Sequence, residues 1–525
     1  MGVFELTTSL RRVTFLIAIL TLALVAAVGC SPGSSERNAP PPTAVALPSP
    51  SLSPTMVPTN TPVPSATPTR STATPTPSAT PTTPVSPTPG PTIAPDLALE
   101  FTTLKNGQYL GYVAQRYGVS LDELVQFSGI INPDVVPIGQ GLIIPHHTDL
   151  ATPDEVLLPD SELVYGQGYV DFDLAAFVEE QGGRLSQVSM TGFDGEQWSG
   201  ADVVERVAAR YSVGPRVLLA LMEAGSGWVT DPDPQGNAAD YPLGHTNGAP
   251  GLLPQLEWAA NELNRGFYGW LDRGETAIPF EDGTIARGAP VLNPGTVAVQ
   301  RTLAADTSFS QLPGRLTAFD EAYRRLFGDP AELDAGPVLP AGLAQPELHL
   351  PWKPGEWWHL TGGPHGGWVS GSGWAALDFV PENAVIGGCI PADSWAVAAA
   401  PGVVARSLPG EILLDLDGDG DIRTGWVLQY LHIVDQPEVG TVLAQDDPVG
   451  RPSCEGGAAE TTHLHFSRRY NGVWVDAGGS VPMVLDGWTG FGSFEYEGGM
   501  TMPGQPDREA EHSRDRAVNG LLREE

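Results

Sequence analysis

Residues 461–466 constrain the fold of this chain more than any other short segment. Their sequence, Thr-Thr-His-Leu-His-Phe, alternates polar and apolar side chains with the two-residue period of a β-strand. His463 and His465 therefore project from one face of a strand, and Leu464 and Phe466 from the other face, into a core. Two imidazoles on one face suit a metal site, in which one ring binds the ion and its neighbour moves protons. An ordinary surface strand carries such a pair equally well. Whether the pair is a metal site therefore depends on further ligands elsewhere in the chain.

The composition limits the partners of the chain. A length of 525 residues allows about three or four domains. The formal net charge of −35 argues against a nucleic-acid-binding protein and against electrostatic docking on anionic lipid. Hydrophobic residues make up 41% and are compatible with globular cores, whereas 62 glycines and 51 prolines indicate much loop and linker.

The amino terminus has the pattern of an export signal. Arg11 and Arg12 precede an apolar run from Val13 to Val28, which is short for a membrane span. The run ends in Ala-Ala-Val-Gly-Cys, which resembles the lipobox of bacterial lipoproteins. The resemblance implies that residues 1–30 are a lipoprotein signal peptide, and that Cys30 is lipidated and anchors the exported chain on the outer face of the cytoplasmic membrane. A plain secretory signal and an amino-terminal anchor helix are the alternatives.

Residues 31–97 form a segment of Pro, Thr, Ser and Ala with repeated Thr-Pro steps. Such a segment cannot bury a core, and we predict a disordered linker with polyproline II character. At about 3 Å per residue it reaches up to roughly 200 Å. A spacer of this length lets a tethered domain sample a thick envelope layer.

Residues 98–147 predict a compact strand–helix–helix–strand module. One helical pattern ends at Gly118, Ser120 caps a second one, and strand signals flank them at residues 101–103 and 142–145.

This βααβ order resembles the LysM domain. The resemblance is carried by Gly107, Leu110, the run Ala-Gln-Arg-Tyr-Gly-Val at residues 114–119, Asn132-Pro133, and Gly139-Gln140 before the last strand. It implies binding to N-acetylglucosamine polymers such as peptidoglycan. The family usually has Asp-Thr where this chain has Gln108-Tyr109, so a packing module without glycan binding is the alternative.

Residues 150–345 predict a mostly α domain. Helical patterns cover residues 203–211, 215–224, 257–264, 297–302 and 318–327. Residues 219–228 are similar to the first motif of lysozyme-like lytic transglycosylases, in which a catalytic glutamate directly precedes Ser-Gly. Gly225 holds that place here, and Glu223 lies two residues earlier, rotated by about 200° on a helix. We therefore predict a lysozyme-like helical domain that is inactive.

Residues 346–495 predict a mostly antiparallel, all-β domain. Strand patterns separated by turn residues cover residues 395–398, 403–405, 412–414, 426–433 and 463–470. His432 shares a predicted strand face with Tyr430, and His365 lies in a glycine loop. Asp378 lies inside an apolar strand, where a carboxylate requires a charge partner, hydrogen bonds or a metal. A buried, hydrogen-bonded histidine and a turn-capping aspartate are the alternatives for His432 and Asp378.

In their order these elements resemble the lysostaphin-type zinc peptidases of bacterial cell walls. The matching positions are His365 with Asp378, Gly402, Tyr-Leu-His at residues 430–432, Gly-Thr-Val at 440–442, Asp-Pro-Val-Gly at 447–450, and His-Leu-His-Phe at 463–466. The resemblance implies an antiparallel sheet with an open groove. It also implies that Asp378 and His465 bind a zinc ion, Zn²⁺, while His432 and His463 flank the reacting water and the scissile carbonyl.

The first zinc ligand departs from the family pattern. The family usually has this histidine four residues before the aspartate, where Trp374 stands here, and the nearest preceding histidine is His365. We interpret residues 366–373 as a loop insertion that leaves His365 at the metal, with His359 in reserve. If neither reaches, the domain is a non-catalytic relative.

The same region contains two cysteines and an acidic run. We predict a Cys389–Cys454 disulfide, because export permits oxidation and the pair lies in one domain; thiolate metal ligands are the alternative. Residues 415–421 have the acids of a calcium loop at its start, but Trp426 stands at position 12, so we predict a hairpin turn with a weak calcium site as the alternative. Residues 496–525 are charged and predict a disordered acidic tail.

These features predict an exported zinc endopeptidase that cuts peptidoglycan peptide cross-links or stems and is held on the wall glycan by a LysM module. A second hypothesis is a non-catalytic envelope factor of the same fold, which binds wall or activates an amidase. A third is a glycosidase that works through the central domain and Glu223.

Overall fold

The computed structural model describes residues 96–525. The predicted signal peptide, Cys30 and all but the last two residues of the predicted linker lie outside the described residues. Within residues 96–525, no helix combines the length and the apolar character needed to span a membrane.

The first described module is a two-stranded antiparallel sheet with two helices. Its elements are β1 (Leu97–Thr103), α1 (Leu110–Tyr117), α2 (Leu121–Phe127) and β2 (Gly141–His147). Gly118 follows α1 with a left-handed φ of 70°, a conformation that glycine adopts at low cost. Ser120 and Glu123 form a capping box at the start of α2. Leu124 and Ile144 are fully buried and centre the small core.

The central region is mostly helical, as predicted. Its helices are α3 (Asp160–Leu163), α4 (Leu174–Gln181), α5 (Gly200–Tyr211), α6 (Pro215–Ser226), α7 (Leu252–Tyr268), α8 (Pro294–Ala304) and α9 (Leu312–Phe327). Its strands form two short hairpins, β3 (Ser189–Thr191) with β4 (Gln197–Ser199) and β5 (Ala277–Pro279) with β6 (Ile285–Arg287). Each predicted helical segment lies within one of the helices α5 to α9.

Helix α6 is the buried centre of this region. Its apolar residues from Val217 to Met222 are almost fully buried, and Pro215 opens the helix where no backbone donor is needed. Arg216 is paired with the buried Glu162, to which its Nε donates at 2.8 Å. The charge pair at the start of α6 is therefore internally satisfied and serves the fold.

The carboxy-terminal region is an antiparallel β structure, as predicted. Its strands are β7 (Trp357–His365), β8 (Ala376–Pro381), β9 (Ala396–Val397), β10 (Gly402–Leu408), β11 (Glu411–Asp415), β12 (Trp426–Leu431), β13 (Ile433–Val434), β14 (Val442–Leu443), β15 (Pro448–Pro452), β16 (Leu464–Tyr470), β17 (Val473–Trp474), β18 (Val484–Leu485), β19 (Trp488–Phe491), β20 (Gly499–Thr501), β21 (Arg508–Glu509) and β22 (Gly520–Leu522). The main sheet has the order β14-β10-β11-β12-β16-β8-β7-β22, and β17 also pairs with β16.

Strand β16 lies between β12 and β8 in this sheet. Leu464 and Phe466 are fully buried, and between them His465 lies opposite Asp378 of β8 and Leu431 of β12. A one-residue slip of β16 would turn both apolar side chains away from the core. Burial of these side chains therefore sets the register that places His465 beside Asp378.

The helical region and the sheet share a core. Val473 and Trp474 of β17 belong to the apolar cluster of the helical region. The backbone nitrogen of Trp474 donates to the hydroxyl of Tyr268 at 3.0 Å, and Arg469 Nη1 donates to the carbonyl of Ala209 at 2.8 Å. The two regions are thus packed together by buried contacts that neither would satisfy alone.

The prediction of a disordered tail at residues 496–525 needs correction. β20 pairs with β19 and β21, and β22 pairs with β7, where Gly520 lies opposite His359. Leu521 is fully buried and Asn519 is buried as well. The high content of charged residues predicted disorder in this segment. Short strands are nevertheless possible there, because a short edge strand needs only one apolar residue that points into the core.

We predict that Leu521→Ala lowers the free energy of unfolding by about 2–5 kcal/mol, the usual effect of truncating a buried leucine. The matched control is Leu522→Ala at the next position, 36% exposed, which we expect to change the free energy by less than about 0.5 kcal/mol. Urea unfolding followed by tryptophan fluorescence measures both variants. Two equally small effects would contradict the pairing of β22 with β7.

Candidate metal centre

Three strands of the sheet bring three candidate metal ligands together. His465 of β16 and Asp378 of β8 lie directly opposite each other. His365 is the last residue of β7, and two register irregularities in the pairing of β7 with β8 place it opposite Ala376. The structure therefore brings Asp378 and His465 together with His365, the ligand that the sequence spacing left least certain.

The donor atoms of these side chains face one another at short range. His365 Nε2 lies 3.0 Å from His465 Nδ1, and each of these nitrogens lies 3.3 Å from Asp378 Oδ1. All three side chains are buried. His463 Nε2 lies 3.7 Å from the same carboxylate oxygen. Two ring nitrogens and one carboxylate oxygen thus converge on a single point, as in a tetrahedral zinc site with three protein ligands.

The second nitrogen of each ring fixes its tautomer. His365 Nδ1 donates to the carbonyl of Gly363 at 2.8 Å, and His465 Nε2 donates to the carbonyl of Gly367 at 3.0 Å. Each hydrogen bond leaves a lone pair on the other nitrogen, which faces the centre. Backbone acceptors behind imidazole ligands orient them and raise their basicity.

Asp378 Oδ1 is buried without a hydrogen-bond partner. A buried carboxylate oxygen is costly unless a donor or a cation compensates it. The imidazole nitrogens nearest to it carry lone pairs when the two tautomers are those described above, so they cannot donate to it. The donor set therefore fits a divalent transition-metal ion better than it fits an internal hydrogen-bond network.

Burial is the largest influence on the pKa values at this centre. It lowers the pKa of His432 to about 3, together with the nearby His463 and His465, and it lowers the pKa of His465. Burial acts to raise the pKa of Asp378, but the charges of His365 and His463 hold it well below its usual range. Burial acts to lower the pKa of His365, but the charge of Asp378 outweighs burial and raises this pKa overall. The carboxylate is therefore anionic, and a proton on His365 competes with a cation for it.

His432 and His463 flank the cluster, with their ring centroids 4.5 Å apart. His463 Nδ1 donates to the carbonyl of Thr461 at 2.8 Å, and His432 Nδ1 donates to the carbonyl of Glu455 at 3.1 Å. In both rings Nε2 then carries the lone pair. The two side chains are thus set up to accept protons beside the cluster.

The backbone at His432 differs from the expected strand. The sequence predicts one strand over residues 426–433, but β12 ends at Leu431, and His432 has a left-handed φ of 63°. The nitrogen of Ser453 donates to the carbonyl of His432 at 2.6 Å and holds this turn. The turn takes the ring out of the strand face of Tyr430 and into the wall of the groove. Strained backbone of this kind persists only where surrounding contacts hold it.

A groove of about 420 Å³ opens onto the five side chains just described. Its further lining includes Trp368, Glu495 and Tyr496, which sequence reasoning missed. The ring of Tyr496 stacks on His365 at 4.2 Å with an interplanar angle of 17°. Tyr496 lies in the segment predicted to be a disordered tail, and no motif in the sequence marks it.

Comparison with known proteins finds two matching domain families and a similar protease. Residues 102–145 match the LysM domain, and residues 156–340 match the domain described as LasA, N-terminal domain. Protease LasA from Pseudomonas aeruginosa, strain PAO1, is 28% identical over 344 residues, which are 62% of this chain and 76% of that protein; the same values hold for strain UCBPP-PA14.

Solved structures with similarity to the chain include pseudoalterin, an M23 metalloprotease from the deep sea. It is 21% identical, covers 32% of this chain and 96% of its own, and has a TM-score of 0.26. Csd3 of Helicobacter pylori, in its hexagonal crystal, is 16% identical, covers 26% of this chain and 33% of its own, and has a TM-score of 0.17.

The chain therefore contains a LysM domain and a domain that matches the amino-terminal domain of LasA, and it is similar to a protease. Residues 156–340 are its LasA-type domain, and the carboxy-terminal region with the main sheet, the β domain, carries the cluster.

The reserve histidine, His359, does not lie at the cluster. His359 is buried, with Nδ1 3.1 Å from Asn519 Oδ1 and Nε2 3.2 Å from Glu382 Oε2. These contacts connect β7 to the segment before β22, so this histidine serves the fold.

Glu223 in the LasA-type domain is held in a structural network. Its Oε1 accepts hydrogen bonds from Thr230 Oγ1 at 2.6 Å and from Arg325 Nη2 at 2.8 Å. A Cβ on Gly225 would lie 2.6 Å from the carbonyl oxygen of Leu243, so the position that carries the acid in lysozyme-like enzymes has no room for a side chain. Neither residue offers a free acid to a glycan, and the lysozyme-like character of this domain stays a prediction.

The acidic run at residues 415–421 lies in the hairpin connection between β11 and β12, as predicted. Asp415 Oδ2 accepts from the backbone nitrogens of Gly418 and Gly420 at 3.0 and 2.8 Å, and Asp421 is paired with Arg423. These contacts hold a polar turn in which ligand atoms of Asp415, Asp417 and Asp419 lie within 4.8 Å of one another, so the weak calcium site stays a prediction.

The predicted disulfide between Cys389 and Cys454 is present, with their Cα atoms 5.3 Å apart. Next to it, Gly388 is bridged to Thr461 and Ser453 to His463. The bond therefore ties the loop that leads into His463 to the loop between β8 and β9.

Replacing Cys454 by serine is expected to lower the free energy of unfolding by about 4 kcal/mol, since the bond spans 65 residues and closes a long loop in the unfolded chain. The double variant Cys389→Ser/Cys454→Ser should lose no more than the single variant, because one bond accounts for both effects. Thermal unfolding under oxidising conditions measures each. Additive losses would show that the two cysteines act separately.

Proposed function

We propose that this chain is an exported zinc metalloendopeptidase that hydrolyses peptide bonds of bacterial peptidoglycan. The observation that carries the proposal is the convergence of two imidazole nitrogens, each oriented by a backbone carbonyl, on an uncompensated buried carboxylate oxygen. Similarity to a protease and the LysM module support the reaction class and the substrate.

His365, Asp378 and His465 are the proposed zinc ligands. Two nitrogens and one oxygen are the donors that zinc takes in hydrolytic sites, and three protein ligands leave a fourth position open. When bound, zinc lowers the pKa of a water molecule toward neutrality and polarises the scissile carbonyl. The chain contributes the fixed ligand geometry and the buried surroundings.

His463 and His432 are the proposed proton carriers. Each has Nδ1 engaged by a backbone carbonyl, so Nε2 accepts a proton from the attacking water. Once protonated, the same ring stabilises the developing oxyanion and donates to the departing amine. Burial lowers the pKa of His432 to about 3, so His432 is the weaker proton acceptor of the two and His463 is the proposed principal base.

The other parts of the chain supply location. The LysM module holds the enzyme on N-acetylglucosamine glycan, so that the groove meets wall peptides. Cys30 is the proposed lipid anchor on the outer face of the cytoplasmic membrane, and the Pro/Thr-rich linker spans the distance to the wall. Cells that express wild type or Cys30→Ala are grown with labelled palmitate, and the label on the isolated protein is measured. We expect label on wild type and none on Cys30→Ala.

Zinc binding tests the ligand set. We expect wild type to bind one zinc ion, and His365→Ala and Asp378→Ala to weaken binding by more than about 100-fold, beyond the 10–100-fold typical of losing an outer-shell partner. The control His359→Ala removes a buried histidine from the same strand and should retain zinc affinity. Competition with a chromophoric chelator measures all four proteins. Retention of zinc by His365→Ala together with loss by His359→Ala would contradict the assignment.

Hydrolysis of purified peptidoglycan tests the reaction. We expect wild type to release new amino groups without new reducing sugar ends. His463→Ala should lower kcat/KM by about 10²–10⁴-fold, the usual contribution of general acid–base catalysis, while retaining zinc. The controls are His349→Ala in the same domain and Glu223→Gln, both with wild-type rates. Reducing ends that disappear in Glu223→Gln would identify a glycosidase instead.

A further inference from the structure

A second chamber lies beside the metal groove. It has a volume of about 300 Å³ and lies between the LysM module, the LasA-type domain and the β domain. Lys105, Arg265 and Arg273 line it from the first two. Ser370 and Glu495 of the β domain line both this chamber and the groove. The two spaces therefore share a wall.

Two arginines that line this chamber are almost fully buried, and each has one nitrogen without a hydrogen-bond partner. The side chains of Arg273 and Arg301 are 7% and 9% exposed, and both line the chamber. Arg273 Nη1 and Arg301 Nε are buried and have no hydrogen-bond partner. An unpaired donor on a buried cation is among the costliest groups that a fold retains.

The neighbouring carboxylates do not fill these donors. Glu275 lies 3.9 Å from Arg273 and 3.8 Å from Arg301, and Glu262 lies 3.5 Å from Arg301. These distances exceed the roughly 2.7–2.9 Å of a charge-assisted hydrogen bond. Burial lowers the pKa of Arg273 in spite of the nearby acids.

The remaining acids of the lining are engaged or weakly ionised. Glu100 Oε2 lies 2.8 Å from His146 Nε2. Burial raises the pKa of Glu495, which disfavours its anionic form on the shared wall. The chamber thus has guanidinium groups in its wall whose nearest carboxylates lie 3.5–3.9 Å away, and an anion from outside the chain would balance their charge.

We propose that this chamber is a subsite for a carboxylate of the peptide substrate. Guanidinium forks match the planar geometry of a carboxylate, and a peptide carries one at its carboxyl end or on an acidic side chain. The shared wall lets a peptide lie in the groove and place its carboxylate in the chamber. The substrate class is an anionic peptide, a statement that rests on the proposed function. The LysM module completes the chamber and so contributes to peptide recognition.

Binding of a matched pair of probes tests the subsite. The probes are acetyl-triglycine with a free carboxylate and the same peptide as its carboxamide. They are titrated into the zinc-loaded full chain carrying His463→Ala, which prevents turnover. We expect the carboxylate to bind at least about tenfold more tightly. Adding Arg273→Gln should abolish this preference, whereas the exposed control Arg324→Gln should retain it. A preference caused by the metal alone would survive in Arg273→Gln and would overturn the proposal.

Two further measurements test the subsite independently of Arg273→Gln. Arg265→Gln changes a partly exposed arginine of the lining and should reduce the preference even if Arg273→Gln folds poorly. Inorganic phosphate is expected to displace acetyl-triglycine only weakly, and tighter binding of phosphate would overturn the carboxylate assignment. Equal affinity of the two probes in a chain that still hydrolyses wall peptide overturns the subsite alone. A probe preference in a chain without hydrolysis overturns the proposed function alone.

Discussion

The register of β16 is the constraint on which the rest of the β domain depends. Burial of Leu464 and Phe466 determines which face of the strand meets the core, and that choice leaves His463 and His465 on the groove side. The same register pairs His465 with Asp378. The two histidines are therefore positioned by the apolar residues Leu464 and Phe466, which take no part in the reaction. Burial of these apolar side chains stabilises the geometry of the cluster.

Much of this domain follows from the sequence because alternation in a strand is a local property. The strand at residues 463–470 and the disulfide depend on short-range patterns or on residue type, whereas the joint place of His465 and Asp378 at a metal was implied by the resemblance to lysostaphin-type zinc peptidases. The position of His365 was less secure, since it depends on irregular pairing between β7 and β8 and on an eight-residue loop. The turn at His432 and the stacking of Tyr496 depend on distant backbone contacts. No periodicity in the sequence encodes contacts of that kind.

The loop before Asp378 links the helical region to the cluster. The nitrogen of Gly371 donates to Asn261 Oδ1 of α7 at 3.1 Å, and the ring of Trp368 contacts Tyr211 of α5. In the same loop, the carbonyl of Gly367 accepts from His465. A Cβ at Gly367 would lie 2.3 Å from the ring of Trp474, so glycine is required there. The LasA-type domain thus supports the loop that forms one wall of the groove. The carbonyl of Gly367 in this loop in turn fixes the tautomer of His465, a candidate ligand.

The pairing of β22 with β7 has a consequence for the order in which the chain is assembled. Gly520 lies opposite His359, about 160 positions earlier, and contacts over such separations form late. Until residue 522 has been synthesised, the edge of β7 lacks its outer neighbour, and β7 is the strand that ends in His365. The strand that carries His365 therefore gains its outer neighbour only after every cluster residue has already been synthesised.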